Sequence, residues 1–346
     1  LGPEYDVPRA LLKELLDQYD LDQEGRLGKV VWEKTDSGMH RSVSPLCNFV
    51  VWPTRDILKD DGFATERFIE LCGLLQGGVS LKSFKISAKT FLDMKWPIEA
   101  WGIRVAVRPR MDQELRYAIQ LMAQEGIPAS TIYTHLGWRK IDDVWVFLHS
   151  KGAVGSNATE VEVSDRLKRY SLPNDGGDLK EALKASLSIL KIGPKRIMIP
   201  LYALVWLAPL SEILRIAGIE PSFLTYLWGA SGTFKSTILA LLLSHYGNFG
   251  PRGLPASFRD TSKSIEEMAF QSKDVLLVVD DLYPAKNPKE RAKLEGVLEY
   301  LSRNQGDRQG RGRLNSSISL MSGHPPRGLT LSSGEVMPLS GSSLAR

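Results

Sequence analysis

An α/β phosphate-loop domain with a parallel sheet, preceded by a smaller α+β domain, is the fold class this sequence predicts. Three observations predict it. Residues 229–237 read GASGTFKST, between an apolar run at 223–228 and a strongly helical run at 238–245. Residues 275–281 read VLLVVDD, an apolar strand ending in Asp280 and Asp281, as a buried parallel strand delivers carboxylates at its C-terminal edge. The interval from Lys235 to Asp280 accommodates one helix, one strand and a second helix, so the two motifs belong to one sheet.

Along the chain, the first half reads as α+β up to about Tyr170. An amphipathic helix at 8–19 opens it, and strands follow at 29–34 (KVVWEK) and 47–52 (CNFVVW), with a polar, turn-rich stretch at 35–44 between them. Residues 81–90 alternate apolar and polar as a half-buried strand does. Residues 111–126 have helical spacing, with Leu115, Ile119 and Met122 on one face. Two short β-rich pieces, 132–138 and 144–149, flank a turn at 139–143. Trp96, Trp101, Trp138 and Trp145 are expected to build this domain's core rather than to stack on bases. The Pro, Asn and Gly of 172–178 (LPNDGGD) set the domain boundary, giving domains at 1–175 and 176–346. Helices at 179–192 and 196–217 then lead to the strand at 223–228. After the acid-tipped strand come a helix at 288–301, an arginine-rich hairpin-like segment and a last strand at 328–332.

Composition agrees with two domains: 346 residues, 43% hydrophobic and 24% charged, are ordinary for a globular protein. A net charge of +4 neither requires nor excludes a nucleic-acid partner, so local charge decides. Cys47 and Cys72 lack metal-type spacing and read as core thiols of a reduced, cytoplasmic protein. The five histidines are scattered and suggest no metal site. The opening residues lack the basic and apolar order of a secretory leader. The apolar run at 197–211, interrupted by Pro200 and Pro209, reads as a buried helix too short for a membrane span.

The chemistry follows from residue types. In a loop of Gly229, Ala230, Ser231, Gly232, Thr233, Phe234, Lys235, Ser236 and Thr237, successive backbone N–H groups wrap phosphate oxygens, and the following helix N-terminus favours negative charge. The Lys235 ammonium would reach the outer phosphates of ATP and the Ser236 hydroxyl would ligate Mg2+. Asp280 would hold Mg2+ and Asp281 would polarise the attacking water. Phe234 departs from the pattern, standing where a glycine is expected; a glycine-rich turn that binds nothing is the competing reading. Ser332, at the tip of the last strand, is the candidate for orienting the attacking water, with Ser333 as the alternative. Residues 303–313 read RNQGDRQGRGR, so Arg303, Arg308, Arg311 and Arg313 are candidates for phosphate contact with DNA, or for reaching a neighbouring subunit's ATP.

These residues resemble a family of bacterial, phage and mobile-element replication proteins that join a poorly characterised N-terminal domain to an AAA+ ATPase of the superfamily-three and MCM-like helicases. The likeness runs from about residue 100 to the end. It rests on Trp101-Gly102, His135-Leu136-Gly137-Trp138-Arg139, Lys151-Gly152-Ala153, WGASGTFKST, Asp280-Asp281 and the closing SSGEVMP…SGSSLAR. The resemblance implies a ring-forming, hexameric, ATP-dependent DNA helicase or replication-initiation ATPase, using Mg2+, partnered by DNA and by a primase or polymerase, with no membrane. It also implies Arg346 as an arginine finger into the adjacent subunit, while the C-terminal lid expected of such relatives is read as missing from this ATPase domain. An ATP-gated DNA-binding or defence scaffold that does not unwind is the alternative. A phosphotransferase acting on a small molecule is a third reading.

Overall fold

A computed structural model describes residues 18–36, 38–173, 177–308, 313–314, 320–321 and 324–337. Two compact units, Leu1–Ile132 and Tyr133–Arg346, divide the chain.

The helix expected at 8–19 lies almost wholly outside the described residues; among those described, the first unit begins with an antiparallel sheet of β1 (Tyr19–Leu21), β2 (Leu27–Thr35) and β3 (Gly38–Pro45). The polar stretch expected as turns is therefore mostly strand: β3 pairs with β2 from Gly28 to Thr35, and its own N-terminal half is exposed, so no buried face marks it in sequence. A long hairpin follows, β4 (Phe49–Asp60) and β5 (Thr65–Leu75), then β6 (Val79–Ser87). Its tip is an Asx turn in which Asp61 Oδ1 accepts from the N–H groups of Phe63 and Ala64. Helices α1 (Ala88–Asp93), α2 (Trp96–Trp101) and α3 (Asp112–Met122) complete it with β7 (Ala129–Tyr133), which lies beside β4. Leu115, Ile119 and Met122 are buried as their spacing requires, and the tryptophans divide. Trp96 is buried and Trp101 packs against Phe49, Phe84 and Trp96, whereas Trp145, in the second unit, is exposed. Cys47 and Cys72 are free thiols, and burial pushes the Cys47 thiol up to about 12.

The second unit begins with a hairpin, β8 (Gly137–Ile141) and β9 (Val144–His149), extended by β10 (Gly152–Val154). Its two-residue turn, Asp142-Asp143, has both φ angles positive, the geometry that matches strand twist. The short strand β11 (Glu160–Val161) leads toward α4 (Leu179–Ser188) and α5 (Lys195–Leu207). From α5 a helical run continues through α6 (Ser211–Ile216); the whole of Lys195–Ile216 has the length and apolarity of a membrane span. Met198, Leu201, Leu204 and Val205 are buried while Ile199, Trp206, Ile213 and Ile216 are exposed, so the expected buried helix is buried along one side only.

Four parallel strands form the sheet that matters most: β12 (Leu224–Trp228), β13 (Ala256–Ser257), β14 (Leu276–Leu282) and β17 (Leu329–Gly334), in the order β12-β17-β14-β13. Between them in sequence run α7 (Lys235–Leu243), α8 (Ser262–Gln271) and the twenty-residue α9 (Pro288–Asp307). After α9, β15 (Arg313–Leu314) pairs antiparallel with β16 (Leu320–Met321). The last of the described strands in sequence, β17, is inserted between β12 and β14.

The composition break at 172–178 falls inside this second unit rather than at its edge. Residues after Tyr133 are built onto the sheet. Leu136, Phe147, Val163, Leu167 and Tyr170 join the same core as Leu239, Val278 and Leu331, and the Tyr170 hydroxyl donates to the Leu276 carbonyl at 2.8 Å.

Candidate functional site

The loop between β12 and α7 closes on itself. Lys235 Nζ donates to the carbonyls of Gly229 and Ala230, both at 2.8 Å, and Thr233 Oγ1 donates to Ala230 O at 2.8 Å. The Gly229 N–H reaches Gly334 O at the end of β17, 3.2 Å away. Gly232 has φ +80°, where glycine is at no disadvantage. Phe234 has φ +58° and is 74% exposed, so a bulky residue occupies a left-handed position and gains little from burial. It stands as the N-cap of α7 without a capping side chain. Ser231 is exposed and Thr237 is half-buried on the first turn of α7.

Asp280 is the meeting point of three elements distant in sequence. Its Oδ2 accepts from Ser236 Oγ on α7 at 2.7 Å, and its Oδ1 accepts a short hydrogen bond from Ser333 Oγ on β17. The cause is a bulge. Val279 pairs with Ser332 and Leu282 with Gly334, so Asp280 and Asp281 together face the single residue Ser333. Asp281 takes φ +70°, and its carboxylate departs from its neighbour's to meet Arg259 Nη2 at 3.0 Å. Arg259, on the segment after β13, also lies over the Tyr283 ring. Nothing in the sequence singled it out.

Ser332 does not reach this cluster. Neighbouring residues of a strand face opposite sides, so with Ser333 directed at Asp280 the Ser332 hydroxyl is turned into the sheet's packing, fully buried. Its oxygen has no hydrogen-bond partner among the described residues. Ser333 replaces it as the strand-tip hydroxyl of the site.

The arginine-rich segment divides as well. Arg303 is exposed and paired with Glu299 on its own helix. Arg308 is not a surface cation. Its Nη1 donates to Pro326 O and Gly328 O, both at 2.9 Å, its Nη2 donates to Pro221 O, and Glu220 lies 3.5 Å from its Nε. Burial lowers its pKa, and only 12% of the side chain is exposed, so its expected contact with DNA phosphate is withdrawn. Arg313 begins β15, with its side chain outside the description, and Arg311 and Arg346 lie outside the described residues.

The residues present fit a nucleoside triphosphate with magnesium. Ser236 Oγ and a carboxylate oxygen of Asp280 form a close pair of hard oxygen donors, the type Mg2+ takes. They stand at the C-terminal ends of parallel strands, beside a helix N-terminus, where open α/β sheets bind ligands. No group of three or more His, Cys, Asp or Glu residues able to hold a metal ion occurs among the described residues, so magnesium here would rest on Ser236, Asp280 and the phosphates themselves.

The opposite end of β14 is clamped. Trp138 N donates to Asp274 Oδ2 at 3.0 Å, and Lys273 Nζ donates to Trp138 O at 2.7 Å and to the same carboxylate oxygen at 2.5 Å. Trp138 Nε1 donates to Pro209 O at 2.8 Å. Burial raises the Asp274 pKa, and the Lys273 ammonium opposes that rise. Gly137, with φ +84°, admits no Cβ, which would collide with the Lys273 carbonyl.

No curated protein matches the chain in sequence. A solved structure described as "SCCmec type IV Cch - active helicase" is similar over 92% of this chain, with a TM-score of 0.51 and 16% sequence identity, which is a likeness of fold. The chain spans 55% of that structure's length. Residues 101–315, which hold the 229–237 loop, both carboxylates and the Trp138 clamp, match the family described as Domain of unknown function (DUF927), and to that family the chain belongs.

Proposed function

We propose that the second unit binds ATP with Mg2+ at the 229–237 loop and hydrolyses it, as the motor of a ring-forming, helicase-like DNA replication protein of a mobile element. The observation that carries this reading is the convergence on Asp280 of Ser236 from the loop–helix and Ser333 from the inserted strand. The fold likeness to a protein described as an active helicase supports it.

In this reading the loop N–H groups bind the phosphates, and Lys235 exchanges its two carbonyl partners for phosphate oxygens. Ser236 and Asp280 would hold magnesium, which would neutralise charge on the outer phosphates. Asp281 accepts the proton of the attacking water once Arg259 releases it, and Ser333 orients Asp280. Arginine from an adjacent subunit, Arg346 in the first instance, completes the site. The protein works in the cytoplasm on DNA.

The test is steady-state ATP hydrolysis with and without single-stranded DNA, for this chain and for Lys235→Ala. Hydrolysis that DNA stimulates and the substitution abolishes is expected. Equal hydrolysis in the two proteins overturns the assignment of the loop. Strand displacement on a forked substrate then distinguishes a helicase from an ATP-gated scaffold.

A further inference from the structure

The eight described arginines of the first unit fall into two groups. Arg26 pairs with Asp22 and Glu24, Arg41 with Asp20, Arg55 with Glu70, Arg67 with Asp56, and Arg116 donates to Leu92 O. Arg104, Arg108 and Arg110 make no side-chain hydrogen bond or ion pair to any described residue, and all three are exposed. They sit within seven residues of one segment, 102–111, that contains no acid (GIRVAVRPRM).

That segment is not a loose loop. Val107 bridges antiparallel to Cys47. The Asn48 side chain grips it from both sides, donating to Arg104 O at 2.9 Å and accepting from Ala106 N at 2.7 Å. The Arg108 N–H donates to Leu46 O at 2.8 Å, and the Asn48 N–H to Ala106 O at 3.1 Å. Val105 is buried and Val107 half-buried, so strand alternation sends Arg104, Ala106 and Arg108 to the outer face. The chain then turns through Arg108-Pro109-Arg110-Met111, closed by Met111 N to Arg108 O at 3.0 Å. Pro109 holds the second turn position, and Arg110 the third at φ +67°, a place where glycine is the usual occupant. Ile103, immediately before Arg104, is 87% exposed.

We infer that this edge is a nucleic-acid backbone-binding surface, with Arg104, Arg108 and Arg110 as phosphate contacts. Along an extended segment Arg104 and Arg108 stand about 13 Å apart, so each guanidinium can take a separate phosphate. Their backbones are already fixed, so only side-chain freedom is lost on binding. Guanidinium groups suit phosphate oxygens through their paired donors, and contacts of this kind carry no base reading. The acids nearest in sequence are Glu99 and Asp112, one on each side of the three arginines. An anionic membrane is the other polyanion such a surface meets, but a single exposed Ile103 supplies little of the apolar face that interfacial binding uses.

The experiment is a fluorescence anisotropy titration of a labelled single-stranded DNA 30-mer, without nucleotide, over a series of salt concentrations. It compares the full chain, Arg104→Ala/Arg108→Ala/Arg110→Ala, and a control of equal charge change, Arg67→Ala/Lys140→Ala/Arg291→Ala. The expected result is a tenfold or larger loss of affinity in the first triple variant only. Its log–log salt dependence should be shallower by about 2, the value for three single-strand phosphate contacts. Unchanged affinity and slope, or an equal loss in both triple variants, overturns the inference. So does arginine-dependent binding to phosphatidylserine vesicles in place of DNA. Because no ATP is present, the outcome is independent of whether the 229–237 loop hydrolyses nucleotide.

Discussion

At the residue scale, the two adjacent serines of β17 make opposite predictions. Ser333→Ala removes the hydrogen bond to Asp280 and is expected to lower ATP hydrolysis roughly 10²-fold with little change in nucleotide affinity. Ser332→Ala removes a buried hydroxyl that has no partner among the described residues. It should leave hydrolysis within about threefold and stability equal or slightly higher. Steady-state kinetics and thermal melts of the two variants check both. His135 gives a pH prediction. Burial, aided by the charges of Arg327, Lys273 and Arg139, lowers its pKa to about 3, while in the unfolded chain it titrates near 6.5. The unfolded state therefore binds more protons below pH 6.5, and the contribution to stability present above that pH is lost as pH falls toward 3. Between pH 7 and pH 5 the protein should lose about 2 kcal/mol that His135→Gln does not, measured by urea denaturation at each pH. The meeting of Ser236 with Asp280 was legible in sequence because residue types and spacing put the 229–237 loop and the acid-tipped strand in one sheet. The choice between Ser332 and Ser333 was not, because only the register against β14 decides which serine faces Asp280.

At the scale of elements, the bulge in β14 is what separates the two carboxylates, and no sequence pattern announces it. The run VLLVVDD reads as a regular strand with two acids at its tip. Only pairing against β17 shows two residues facing one. Arg308 is a similar case: glycine-rich, basic surroundings suggest a mobile phosphate-binding segment, yet the side chain closes the C-terminal end of α9 against the entry to β17. Arg308→Ala should therefore cost about 3 kcal/mol of stability, the range for losing buried charge-assisted hydrogen bonds, and leave DNA affinity within about twofold. Denaturant unfolding and a DNA titration on the same sample read both. In the first unit, β3 and β5 escaped notice because β3 is exposed through its N-terminal half and the N-terminal half of β5 is charged and only partly buried. The polar faces of such strands hide the period that marks a half-buried one.

For the whole molecule, the position of the division matters. Sequence composition placed it at 175, where Pro, Asn and Gly cluster, because a local change in composition is visible while packing across more than a hundred residues is not. The packing places it at Ile132–Tyr133. A fragment of residues 133–346 is expected to unfold cooperatively, and one of residues 176–346 to show exposed apolar surface and a broad transition. The latter lacks Leu136, Phe147, Val163, Leu167 and Tyr170 from its core. Calorimetry and binding of a hydrophobic dye distinguish them. The hairpin clamp lies wholly inside the second unit. β14 is a seven-residue strut about 20 Å long, anchored at Asp274 by Trp138 and Lys273, with its far tip carrying Asp280. The same strand is thus held at its entry and kinked at its exit, so the grip of the hairpin and the bulge together fix where the Asp280 carboxylate stands.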